Sequence, residues 1–207
     1  MLIKRVKLVH VQENKIMSRD KLLVKNLNIE CNEPLNLSKK LLDATAKEYS
    51  NDRKKNFANN DFINSIVDFC NANLSDEIIR NCILSIGHIS RLYNFFPQEA
   101  FDFVWKFRTN RELLYAVVRT ASLYPQFIKQ SDYEDVLCNL AKIPPKKQSI
   151  SLLHFVILNI FEHISNNDFI NNIIDIFNKY IEKNPNLYES KNAYPILIEK
   201  MKEKLTT

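Results

Sequence analysis

Along most of this chain apolar residues recur at spacings of three and four, the pattern of helices that bury one face. The clearest stretch, NDFINSIVDFCN at residues 60–71, is written again at 167–178 as NDFINNIIDIFN, 107 positions later with eight of twelve letters unchanged. The exchanges Val67/Ile174 and Phe69/Ile176 keep apolar character. Self-similarity of this kind marks a repeat architecture, and one third of the interval, close to 36 residues, predicts further helix starts near 97 and 132. Helical patterns begin at both places: PQEAFDFVWKF at Pro97 and DYEDVLCNLAKI at Asp132. The four starts, Asp61, Pro97, Asp132 and Asp168, are 36, 35 and 36 residues apart.

Each start suits a helix N-terminus. Asp61 and Asp168 can cap or charge it, Pro97 fits the first turn with Glu99 adding a carboxylate, and Ser131–Asp132 fits a cap. A second helical pattern follows each first one. Ile79, Ile83, Ile86 and Ile89 or Ser90 share one face. Leu113, Leu114, Val117, Val118 and Ala121 share another. IPPKK introduces QSISLLHFVILNIFEHI, and EKNPNLYES introduces KNAYPILIEKMKEKL, where Pro195 should bend the last helix or delay its start. The chain therefore reads as four helical hairpins joined by turns carrying Asn, Ser, Thr or Pro.

The stretch SDEIIRNCILSIGHI resembles the second helix of a HEAT or armadillo-type repeat: Asp76 precedes the apolar pair Ile78–Ile79 and Arg80, with Cys82 and Gly87 beyond. The resemblance extends over residues 61–205. It implies a predominantly all-α fold, a superhelical stack of about four helical hairpins (a HEAT-like α-solenoid) whose second helices line a concave binding face. An irregular helical bundle, in which NDFIN recurs by chance, is the alternative.

Residues 1–60 differ from the rest. LIKRVKLVHV alternates roughly with period two and KLLVKNLNIEC offers a second strand, so a short N-terminal β-hairpin is expected, with an amphipathic helix as its competitor. EPLNLSKKLLDATAKEY reads as a capping helix with Leu37, Leu41, Leu42 and Ala46 on one face, and SNDRKKNFANN reads as a polar linker. The expected organisation is thus a basic N-terminal segment, 1–60, and a helical-repeat domain, 61–207. Charge supports that division. The first segment holds thirteen Lys/Arg against seven Asp/Glu, whereas residues 61–207 hold sixteen against seventeen. Lys4, Arg5, Lys7, Lys39, Lys40, Arg53, Lys54 and Lys55 form a candidate basic patch for an acidic partner.

Composition removes several kinds of chemistry. A chain with one glycine, Gly87, cannot hold a GxGxxG fingerprint or a Walker loop. The cysteines, Cys31, Cys70, Cys82 and Cys138, form no CxxC and no zinc spacing, so free thiols in a reducing, cytoplasmic setting are expected. No apolar run reaches the roughly 18 to 20 residues that span a bilayer, and MLIKRVKLVHVQ lacks a signal-peptide apolar core. His154 and His163 lie nine apart on one predicted helix, facing opposite ways, and cannot share a metal. The pairs Asp132/Asp135 and Glu99/Asp102 are accounted for as first-turn residues. Trp105 is accounted for by core packing. No catalytic residue, metal site or cofactor is expected, and the protein is read as a non-enzyme.

What remains is a surface. The polar stripe of the second helices would carry Arg80, His88 and Arg91, then Arg111, Tyr115 and Arg119, residue types favoured at the centres of protein interfaces. Another protein is the expected partner. Nucleic acid, held by these arginines and the basic patch, is the alternative. In LLHFVILNIF, residues 152–161, eight of ten residues are apolar and encircle the helix, which predicts burial between neighbours, with self-association as the other option.

Overall fold

A computed structural model describes Leu23, Leu27, residues 33–127 and residues 130–206. Every regular element among them is helical. The elements are α1 (Pro34–Ala46), α2 (Asn51–Phe57), α3 (Asn60–Ala72), α4 (Asp76–Tyr93), α5 (Gln98–Trp105), α6 (Leu114–Ala121), α7 (Gln130–Leu140), α8 (Lys146–Ile160), α9 (Asn167–Lys183), α10 (Tyr188–Lys191) and α11 (Ala193–Leu205). The first helices of the four expected hairpins thus begin at Asn60, Gln98, Gln130 and Asn167, within two residues of their expected positions. The expected hairpin's first strand, residues 2–11, lies outside the described residues. In its second strand the two described positions, Leu23 and Leu27, are helical and four apart, and Leu23 is fully buried, so the competing helix applies at these two positions.

Local chemistry explains the boundaries. Asn59 caps α3 by accepting from the Phe62 amide at 2.8 Å, and Asn166 caps α9 by accepting from the amides of Asp168 and Phe169 at 2.9 and 3.2 Å. Asp61 and Asp168 therefore sit in the first turn, where their charge favours the helix dipole, and the capping falls to the asparagines before them. Ser75 caps α4 through the Ile78 amide at 3.3 Å. Asn94, at the far end of α4, takes the left-handed conformation (φ 53°) that asparagine tolerates well. Pro195 falls in the first turn of α11, whose start is delayed to Ala193.

The expected polar linker is a correction. Residues 51–57 form α2, capped by Ser50 on the Arg53 amide at 3.2 Å, with Asp52 in its first turn and Lys54 and Lys55 in its last. Phe57 anchors it, buried and stacked on Phe62 at 4.9 Å. In α1 the buried face is Leu37, Ser38, Leu41 and Thr45, while Ala46 is exposed.

The chain divides into two compact units, Met1–Leu123 and Tyr124–Thr207, a boundary inside the region that the sequence groups as 61–207. In the first unit α4 is the central element: α1, α3 and α6 all pack on it, and α5 packs on α3 and α6. Contacts thus join α3 to α5 and α4 to α6. In the second unit α7 packs on α8 and α9, and α9 on α10 and α11. Tyr194 of α11 meets α8, its hydroxyl 3.5 Å from that of Ser151 and its ring 5.4 Å from His154.

Gly87 stands where α4 and α6 cross. A Cβ there would lie 2.7 Å from the Thr120 hydroxyl oxygen and 3.3 Å from its methyl. Thr120 is a stiff β-branched side chain, buried, and its hydroxyl donates to the Ile83 carbonyl at 3.2 Å, so it has little room to yield. Gly87→Leu should lower stability in urea unfolding by more than about 2 kcal/mol, because overpacking costs far exceed any gain in helix propensity. Gly87→Ala and Thr120→Ala should couple, the double variant being more stable than the sum of the singles predicts by about 1 kcal/mol. Additive effects would mean that the two residues do not define the crossing.

Candidate functional site

The expected partner-binding residues all lie in the first unit, on α4, on α6 and in the turn before α6. Packing decides their exposure. α4 packs against α1, α3 and α6; Asp76 and Glu77 in its first turn are exposed, and beyond them follows a strip in which Arg80, Leu84, His88 and Leu92 are half-buried and Arg91 is exposed. On α6, Tyr115 and Arg119 are exposed one turn apart, and Arg111 is exposed in the preceding turn.

Polar contacts tie α4 to the turn before α6. The Arg80 guanidinium donates to the Glu112 carbonyl at 3.2 Å, and Asn110 donates to Asp76 at 3.0 Å. His88 feels Arg91 and Arg119, so these three groups share one neighbourhood, while Arg80 belongs to the end of the strip near Glu112. Burial, and then the positive charges of Arg91 and Arg119, hold the His88 imidazole below its ordinary value of 6.5. Its Nδ1 is buried without a hydrogen-bond partner among the described residues. His88 with Arg91 and Arg119 offers planar surface, donors and positive potential, which suit carboxylates and aromatic rings.

The described members of the basic patch lie on two helices. Lys4, Arg5 and Lys7 lie outside the described residues. Lys39 and Lys40 are on α1, where Lys39 pairs with Glu77 of α4 at 3.0 Å. Arg53, Lys54 and Lys55 are on α2, where Arg53 donates to the Glu48 carbonyl at 3.0 Å. Trp105 is buried against Phe101, their rings 5.9 Å apart.

Cys70, Cys82 and Cys138 are free thiols. Cys70 and Cys82 meet between α3 and α4, where the hydrogen bond from Cys82 pulls the Cys70 thiol below its ordinary value and raises that of Cys82. Among the described residues no three His, Cys, Asp or Glu side chains are grouped to hold a metal, and no helix is long and apolar enough to cross a membrane. His154 is packed against Phe177 and Tyr194, and burial lowers it below the ordinary value.

Two features of the second unit were missed or misjudged in the sequence. The apolar helix α8 is not covered all round: Phe155 and Leu158, one turn apart, are 40% and 47% exposed. The expected burial between neighbours holds for Leu152, Leu153, Val156, Ile157 and Ile160 and fails for this pair. The second feature is a recess of about 610 Å³ between the end of α7, the start of α8 and one face of α9. Its rim carries Lys142, Lys146, Lys147, Lys179 and Lys183.

Comparison with protein-family models, curated proteins and solved structures gives no match.

The depressed histidines have a measurable consequence. A histidine held below its unfolded value contributes full stability above about pH 6.5 and loses it as pH falls toward the folded value, since the unfolded chain then binds the extra proton. Urea midpoints should therefore fall between pH 7 and pH 5, and His88→Gln should flatten part of that slope, with His154 supplying another part. An unchanged slope in His88→Gln would place His88 in open solvent.

Proposed function

We propose that this chain is a non-enzymatic protein-binding module, a HEAT-like α-solenoid of helical hairpins that holds a partner on the solvent faces of its second helices. The solenoid reading draws on the offsets of the contacts between hairpins in the first unit. Lys106 donates to Asn71 at 2.7 Å, Asn110 to Asp76, Arg80 to the Glu112 carbonyl and Thr120 to the Ile83 carbonyl, at sequence separations of 35, 34, 32 and 37 residues. These fall around the 36-residue spacing of the helix starts, as expected when like positions of successive hairpins stack.

One observation carries the choice of a protein partner: the second helix α8 presents Phe155 and Leu158 to solvent. Exposed phenylalanine and leucine gain from contact with apolar protein surface and gain nothing from a phosphate backbone. The strip Arg80–His88–Arg91 with Arg111, Tyr115 and Arg119 adds the residue types that dominate interface energetics. The three free thiols fit a reducing compartment, and we assign the protein to the cytoplasm.

Affinity purification of the full chain from its native cells, with and without nuclease, tests the choice of partner. A discrete protein should remain bound after nuclease treatment. Its affinity for the chain, measured by calorimetry, should fall about tenfold or more for Arg91→Glu/Arg119→Glu and for Phe155→Ser/Leu158→Ser. Its salt dependence should be shallow. Binding that disappears with nuclease, or an affinity that falls steeply with salt, would transfer the protein to the nucleic-acid class.

A further inference from the structure

The recess of the second unit lies where two copies of one sequence motif differ. In α3 the motif buries Ser65 and Phe69, 3% and 1% exposed. Their counterparts in α9 are Asn172 and Ile176. Asn172 is exposed, Ile176 is half-buried, and both line the recess. The conserved core positions behave alike in the two copies: Phe62, Ile63 and Ile66 are buried in α3, as are Phe169, Ile170 and Ile173 in α9. Helix α9 also continues for 17 residues against 13 in α3, and the added turn carries Tyr180 and Lys183 into the same recess. At these two positions the stretch in α9 takes less part in core packing than the one in α3.

The lining has a consistent chemistry. Its floor includes Ile150, Ile176 and the ring of Tyr180, whose hydroxyl is raised above its ordinary value by burial and then by Glu189. Five lysines surround this floor, no carboxylate lines the recess, and none of the five lysines makes an ion pair among the described residues. Lys142 reaches only the neutral Asn139, at 3.1 Å. Lys146 and Lys147 occupy the first turn of α8, which has no acidic residue and no side-chain cap, so they add to the positive end of the helix dipole rather than offset it. Five ammonium groups around one concavity favour an anion between them, the nearby carboxylates Glu134, Asp135 and Glu189 standing outside the lining. Its volume falls in the range of small-molecule pockets, about 300–1,000 Å³.

We propose that this recess binds a small polyanion with an apolar or planar body, of the chemical class of a nucleotide. Its anionic groups are held by Lys146, Lys147, Lys179 and Lys183, and its body rests on Ile150, Ile176 and Tyr180. The lining residues differ from those assigned to a protein partner, although Lys146, Lys147 and Ile150 stand on the same helix as Phe155 and Leu158.

Calorimetric titration of the full chain with ATP, with sodium tripolyphosphate and with a poly-glutamate peptide tests it. ATP should saturate one site with a dissociation constant below about 1 mM and bind about tenfold or more tightly than tripolyphosphate, the difference expected when an apolar body is also buried. Lys147→Gln/Lys183→Gln should weaken ATP binding about tenfold or more while leaving the urea midpoint unchanged, and Ile176→Ser should weaken ATP but not tripolyphosphate. Lys200→Gln/Lys202→Gln, outside the recess, should change nothing. The proposal is overturned if ATP does not saturate, if it binds no better than tripolyphosphate, if the lysine variants bind as well as the parent, or if poly-glutamate binds more tightly than ATP.

Discussion

Helix α4 can be central only if three neighbours approach it closely, and that approach constrains the first unit at every level. An 18-residue helix packed by α1, α3 and α6 buries several polar atoms with partners, His88 Nδ1 and the Tyr93 hydroxyl excepted among the described residues. Ser85 and Ser90 donate back to the carbonyls of Asn81 and Ile86 at 2.7 and 2.8 Å, and the Asn81 amide donates to Ser38 of α1 at 3.0 Å. On the α6 side the approach is too close for any side chain at Gly87, and Thr120 fills the space. The solvent strip of α4 is what this packing leaves uncovered. Beyond the first turn, Arg80, His88 and Arg91 become a surface because α1, α3 and α6 take the other sides of the helix.

The same local motif serves two ends. In α3 it closes a core from Phe62 to Cys70, with Phe57 and Cys82 supplied by neighbouring helices. In α9 its conserved apolar positions still face inward, while the exchanged positions open onto a concavity ringed by lysines. A helical hairpin needs only its inward stripe to stack, so the other positions are free to vary without loss of fold.

Helix starts were legible because they depend on neighbours in sequence. Periodic apolar residues, an early carboxylate and an early proline are readable within one turn, and the four first helices begin within two residues of those signals, although the caps of α3 and α9 are the asparagines before the expected aspartates. The segment Asn51–Phe57 was misread because its charged run resembles a linker, although Ser50 and Phe57 hold the cap and the anchor. The exposure of Phe155 and Leu158 was not legible, since an all-round apolar pattern does not say which sides the neighbours leave open. The lysine recess was hidden for a different reason. Its charges come from residues 142–147 and 179–183, and the near-neutral balance of residues 61–207 averages them away. The arginine strip was readable as helix positions, but the neighbourhood of His88 with Arg91 and Arg119 depends on how α4 and α6 cross.

The uncovered pair on α8 also sets a ceiling on crowding. Two such residues cost little in a dilute chain, yet each encounter between copies can cover them, and the chance of encounter rises with the square of concentration. Contacts that cover Phe155 and Leu158 become more frequent as copies are concentrated, so crowding favours association even when every molecule is correctly folded.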